Sequence, residues 1–198
     1  MQDMVVRKEF LIDCRKKNAC MKMCEKLKKL LPPEREITFL CIGTDRVLAD
    51  IYGPLVGSLL SDMGMKNILG MIGQPVHAKN LSTYAAGIPR EHFVIAFDAM
   101  SGREENLGKI RIRRGRCYPG TGIKKKLLPV GDLTVSFNIA VEREWGLDLN
   151  VDPEMIWRGA TVTAGMIVRT IRELENVKKP EKFGFRMFSR SYRQILFG

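Results

Sequence analysis

No stretch of this chain approaches the roughly 20 consecutive apolar residues that a membrane-spanning helix requires. Met1 to Lys8 leads into charged residues instead of an apolar secretory segment, which predicts a cytoplasmic protein. No C-x-x-C pair occurs among the five cysteines, Cys14, Cys20, Cys24, Cys41 and Cys117. An odd set with that spacing argues against a disulfide framework and against a structural zinc site, and fits a reducing compartment. Cys20 and Cys24 lie one helical turn apart and read as two buried thiols. No serine or cysteine sits in a nucleophile elbow, so a covalent hydrolase is not indicated. Internal repeats and low-complexity segments are absent as well.

What remains is a globular composition, 45% hydrophobic and 28% charged over 198 residues. It predicts one domain over 1-178, followed by a basic, partly ordered tail over 179-198. The net charge of +11 comes from 33 basic and 22 acidic residues. Basic residues gather at Arg15 to Lys29, at Arg103 to Lys126 and after Arg169. Such runs are usually solvated faces; otherwise they attract nucleic acid, an acidic protein or a membrane surface. Arg111, Arg113, Arg114 and Arg116 lack the interleaved aromatics of a single-strand-binding platform, so support for nucleic acid is weak.

Periodicity predicts an amphipathic helix over Lys16 to Leu31, stopped by Pro32-Pro33. Ile37 to Ile42 is apolar throughout, as for a strand covered on both faces. Gly53-Pro54 opens a helix whose stripe is Leu55, Val56, Leu59, Leu60 and Met63. A short strand at Ile68 to Ile72, a helix at Lys79 to Ala86 and an apolar strand at Phe93 to Phe97 follow. Alternation in KIRIRRGR suggests an edge or exposed strand with its arginines outward. In LTVSFNIAV, Leu133, Val135, Phe137, Ile139 and Val141 share one face. Asp152-Pro153-Glu154 starts a last helix, with Ile156, Ala160, Ala164, Ile167 and Ile171 on one side. Alternating strands and helices predict a three-layer αβα sandwich with a largely parallel twisted sheet and an antiparallel edge.

The two strongest apolar strands both lead into carboxylates, although hydrophobicity asks for none there. Asp45 and Asp50 lie in the loop after the first, and Asp98 follows the second. Ligands of open α/β sheets bind in the crevice at the carboxyl ends of the strands. If the two strands are neighbours, Asp50 and Asp98 converge there, and close carboxylates do not both ionise cheaply. Such a pair can activate water and protonate a leaving amine, or it can bind a divalent metal. Asp98 could instead cap a helix, Asp50 could serve the helix dipole, and Asp45 could brace its own loop. His77 could reach the same crevice or be structural; His92 falls at the opposite end of its strand. Gly120 to Gly122 with Lys124, Lys125 and Lys126 could bind an anion but lacks P-loop spacing.

CIGTDRVLADIYGPLVG, QPVHAKNL, VIAFDAMSG and PGTGIKKKLLPVGDLTV together resemble the YyaC-type sporulation protease family of spore-forming Firmicutes. The resemblance spans Ile37 to Val135, with four motifs in the same order. That family is similar to the germination protease, which degrades small acid-soluble spore proteins, and to the hydrogenase-maturation endopeptidases. The resemblance implies a hydrogenase-maturation-protease-like fold. It matches Asp50, with Gly53-Pro54 behind it and Gly43 ahead, and Asp98, with Ala99 behind it, to two essential aspartates. In the hydrogenase relatives two acidic positions and a histidine hold a divalent metal, but that histidine follows the second acid, whereas His77 precedes Asp98. Val47-Leu48-Ala49 replaces the Ser-Thr-Gly usual in close relatives and makes the loop more apolar. EREWGLDLNVDPEMIW replaces a shorter linker and should reshape one edge of the fold.

The expectation is therefore an endopeptidase in which Asp50 and Asp98 activate water against a peptide bond. Asp45 and His77 would orient the loop or the substrate, and Gly43, Gly53 and Pro54 would allow close packing. The substrate would be a protein or peptide, with small acid-soluble spore proteins as candidates. The alternative is a non-catalytic scaffold that binds an acidic protein or DNA through its basic surface.

Overall fold

Strands that are apolar on both faces need cover on both, and the chain supplies it unequally. The structure is a computed structural model that describes residues 9–120, 127–148 and 150–178. The elements run β1 (Glu9–Asp13), α1 (Ala19–Lys28), β2 (Ile37–Cys41), α2 (Tyr52–Asp62), β3 (Ile68–Leu69) and α3 (Leu81–Ala86). Then come β4 (Phe93–Gly102), β5 (Lys109–Arg114), β6 (Leu133–Arg143), β7 (Gly146–Asp148) and α4 (Pro153–Lys178). The sheet order is β1-β5-β6-β4-β2-β3, with β7 also paired to β6. β3, β2, β4 and β6 are parallel, whereas β5, β1 and β7 add antiparallel pairs. This is the three-layer sandwich with an antiparallel edge.

Phe39, Cys41, Phe93, Ile95 and Phe97 face the layer formed by α1, α2 and α4. Leu40, Ile42 and Ala96 face the opposite side, covered by α3 and by irregular chain carrying Val76, Cys117 and Val130. The first layer is thick and the second thin. Tyr52, fully buried at the start of α2, stacks on Phe137 of β6 at 5.1 Å and meets Thr163 Oγ1 of α4 at 2.8 Å. One aromatic side chain thus ties two helices to the sheet.

Several local expectations are corrected. KIRIRRGR is not the sheet edge, because β1 pairs along its outer side; Arg111 and Arg113 do lie opposite the buried Ile110 and Ile112, whereas Arg114 falls on the isoleucine face and bonds Leu30 O at 3.4 Å. The strand after Lys66 stops at Leu69, since Met71 turns back to pair with Gln74. α1 ends at Lys28, ahead of the prolines, and α3 is shorter than its pattern. The β6 alternation is interrupted where the β4–β6 register shifts at Met100/Ser101, so Ala140 joins the core cluster and Val141 does not. α4 is buried beyond its expected stripe, because its middle carries Thr161, Val162, Thr163, Met166 and Val168 into the interior too. EREWGLDLNVDPEMIW supplies β7, a short hairpin partner for the end of β6. The 179-198 tail and Thr121 to Lys126 of the suggested anion loop lie outside the described residues.

α2 starts hard against the end of β2. A Cβ on Gly53 would stand 2.0 Å from the Ile42 carbonyl oxygen. In an open helix Gly→Ala gains about 1 kcal/mol; here the clash is with backbone and the sign reverses. Gly53→Ala is expected to destabilise the protein by about 3 kcal/mol, checked by urea unfolding.

Candidate functional site

β2 is the strand at which the winding reverses. The chain leaves it through α2 to β3 on one side, then returns through α3 to β4 on the other. In such sheets the reversal opens a crevice at the carboxyl ends of the two diverging strands. The acidic residues occupy that crevice.

Asp98 is not at the end of its strand, as the apolar run suggested. β4 continues to Gly102 along β6, while β2 pairs only as far as Cys41 opposite Phe97. Asp98 is therefore the first residue of β4 beyond the last β2 pair. It lies on the thin face with Ala96, and Ser136 stands beside it on β6. A small ladder holds Cys117 over it: Cys117 and Val130 exchange backbone hydrogen bonds of 2.7 and 3.0 Å. The buried Cys117 thiol then donates to Asp98 Oδ2 at 3.6 Å.

Asp50 arrives from the loop after β2, at the end of a 3-10 turn over Leu48–Asp50. The loop folds back tightly. Thr44 N–H donates to the Asp50 carbonyl at 3.0 Å, and a Cβ on Gly43, whose φ is +146°, would lie 2.1 Å from that oxygen. Only glycine fits there. Pro54 falls in the first turn of α2, where its missing N–H costs no helical bond. Gly53 and Pro54 are buried in that turn.

Burial, with the Asp50 charge beside it, pushes the Asp98 carboxyl up to about 8, against the Cys117 thiol and the Ala99 amide, which lower it. Burial also pushes Asp50 up to about 6, against the Thr44 amide and the His77 imidazole, which lower it. Asp50 is thus within electrostatic reach of both Asp98 and His77. The His77 N–H donates to Asn80 Oδ1 at 2.8 Å, while its Nδ1 accepts from the Lys79 N–H at 3.3 Å. Asp45 is not among them: its Oδ2 accepts from Gly73 N–H at 2.8 Å and braces the β2 loop against the β3 loop. His92, at the other end of β4, meets Thr38 Oγ1 at 2.8 Å. Val47 and Leu48 stand exposed at 49% and 43% on the rim beside Asp50.

Among the described residues, no three of His, Cys, Asp and Glu are grouped to hold a metal ion. Asp50 and Asp98 offer oxygen donors, while the Nδ1 of His77 accepts from the Lys79 N–H. A catalytic zinc takes three protein ligands, which this group does not supply; a divalent ion that keeps most of its waters would need only the two carboxylates.

The family comparison agrees with the motifs. A model described as "Protein of unknown function (DUF1256)" matches residues 11–157. The chain belongs to the DUF1256 family. It is also 36% identical over 137 residues to the protein named "Uncharacterized protein YyaC" of Bacillus subtilis (strain 168), covering 66% of this chain and 67% of that one. Among solved structures it is similar to a [NiFe] hydrogenase maturation protease, HycI, from Thermococcus kodakarensis KOD1, with a TM-score of 0.50 and 19% identity. That match covers 74% of this chain and 99% of the other, and it establishes a shared fold.

Cys117 is the site residue that sequence reading missed. It is 19 positions from Asp98 in the chain, and only the strand pairing brings them together. Cys117→Ala removes a donor that favours the ionised carboxylate, so Asp98 should titrate above about 8, followed by carboxyl NMR.

The folded Asp98 pKa is raised well above the usual aspartate value, so unfolding releases a proton between about pH 4 and about pH 8. Its contribution to stability is full below that window and is lost as pH rises through it. Asp98→Asn cannot ionise and should melt higher than the parent protein above about pH 8, with the gain shrinking toward acid, measured by thermal scans at stepped pH.

Proposed function

We propose that this protein hydrolyses peptide bonds, with Asp50 as general base and Asp98 as general acid. The observation that carries the proposal is the convergence of the two carboxylates, from separate chain segments, in the crevice where β2 ends and β4 continues. Asp50 takes a proton from water, and the resulting hydroxide forms the new bond to the peptide carbonyl carbon. Asp98 gives its proton to the departing amine as the C–N bond breaks. Between about pH 6 and about pH 8 Asp50 is ionised while Asp98 keeps its proton, so the two roles are separated.

Further support comes from the fold, which is that of a hydrogenase maturation protease. Family resemblance suggests a spore-forming cell as the setting and small acid-soluble spore proteins as the first substrates to try. Among the described residues no helix is long and apolar enough to cross a membrane, which is compatible with a protein substrate met away from the bilayer.

The test is incubation of the purified protein with small acid-soluble spore proteins, with fragments read by mass spectrometry. Cleavage is expected to follow a bell-shaped pH profile centred at about pH 7 and to survive a chelator. Asp50→Asn and Asp98→Asn should each reduce it by about a thousandfold or more. Undiminished cleavage by either variant would remove that residue from the mechanism.

A further inference from the structure

We propose that the groove between β1 and α1 takes an extended acidic peptide, which adds as a further strand to the sheet edge at β1, where no described strand pairs. This site is separate from the aspartate crevice. β1 and β4 are three strand spacings apart, roughly 14 Å.

The first observation is backbone geometry. β1 is the terminal strand, paired on one side to β5. Cys14 N–H donates to Gly108 O at 3.1 Å, whereas Asp13 O accepts from Lys16 N–H on the other side. Residues of an antiparallel strand alternate in direction, so Ile12 and Phe10 bond to β5, and the N–H and C=O of Leu11 and Glu9 point outward. An edge of this kind is a template for another strand.

The second observation is a cavity of about 290 Å³ against that edge. Leu11, Ile12 and Asp13 all line it, and three consecutive residues can do so only from the side of a strand. Opposite them stand Lys16, Lys22 and Lys26, with Lys109 beside the strand. The one carboxylate there, Asp13, is occupied by Arg15 through bonds of 2.8 and 2.7 Å. Among the described residues none of the four lysines forms an ion pair. Lys26 Nζ rests over the Phe10 ring at 4.4 Å, and Lys109 Nζ bonds Asn106 Oδ1 at 3.2 Å.

Charge complementarity selects an acidic occupant, and the outward backbone groups select a peptide. A nucleic acid would satisfy the lysines but would leave the Leu11 N–H and C=O without strand partners. A bound strand would place carboxylates toward α1 and an apolar side chain near Leu11, which is 48% exposed.

The experiment uses the full chain and a fluorescein-labelled peptide of alternating glutamate and valine, read by anisotropy at low salt. Binding is expected, weakening as salt rises. Lys22→Glu with Lys26→Glu should weaken it about tenfold or more. Leu11→Pro removes an N–H that faces away from β5, so it should keep the fold by circular dichroism and lose the peptide. A peptide N-methylated at alternate residues should lose binding at unchanged charge. Equal binding by the N-methylated peptide, or competition by a single-stranded oligonucleotide as strong as that of the unlabelled peptide, would overturn the proposal, as would no binding at all. Asp50→Asn is expected to leave this binding intact, so a failure here is distinguishable from a failure of the hydrolytic reading.

Discussion

The site depends on a mismatch in strand length. β2 stops at Cys41 while its parallel neighbour β4 runs on to Gly102, held by β6 on the other side. Ile42 still donates to Phe97 O at 2.8 Å, and then the chain must turn away to start α2. From Asp98 onward, no described strand lies beside one flank of β4, and the acidic loop folds back into that space. Gly43 and Gly53 permit the turn, because each replaces a Cβ that would strike backbone oxygen. The position of Asp50 follows from the end of a strand and two glycines, not from any bond of its own side chain to a core residue.

Unequal cover gives the crevice its character. Three helices seal the thick face, and the residues that β2 and β4 send there as far as Ala99 are all apolar. On the thin face α3 and the chain through Cys117 bury less, and the strands carry Thr134, Ser136 and Asn138 among their apolar residues. Cover made of loops can leave an ionisable group close to the surface and still partly desolvated. A helix packed over β4 would have closed that position. The thin layer is thus what makes a carboxylate at Asp98 tolerable.

Much of this was legible in the chain. Runs such as Phe93 to Phe97 announce a strand covered on both sides, and Gly53-Pro54 announces a helix start, because sterics and burial act locally there. Asp50 and Asp98 stood out since each breaks an apolar context. What escaped depends on pairing. β1 is five residues with weak alternation, and nothing in EFLID says that it will cover β5. The shift at Met100/Ser101 that turns Ala140 inward leaves no mark in the alternating pattern of β6. Cys117 carried no signal of its own, since its nearness to Asp98 comes from β4, β6 and the Cys117–Val130 bridge together. Asp45 shared the acidic motif yet serves as a brace, a difference set by which loop lies opposite it.

A structural carboxylate in a fold is normally met by strong donors. Asp13 shows the pattern: Arg15 grips both its oxygens, and this holds its pKa below the usual aspartate range despite partial burial. Asp132 accepts a backbone N–H from Val94 at 2.9 Å, and Asp45 accepts one from Gly73. Asp98 is met more weakly, by the amide of the adjacent Ala99 and by the Cys117 thiol. A thiol at 3.6 Å is a weak donor, no guanidinium or ammonium is bonded to it, and the nearest opposing influence is another carboxylate. As a purely structural residue it would be stabilised by replacement with almost any neutral side chain of similar size, and nothing in the packing requires an acid there. Departures from local consistency of this kind concentrate at functional or strained sites. At Asp50, too, desolvation is the dominant influence on the proton and outweighs the Thr44 amide.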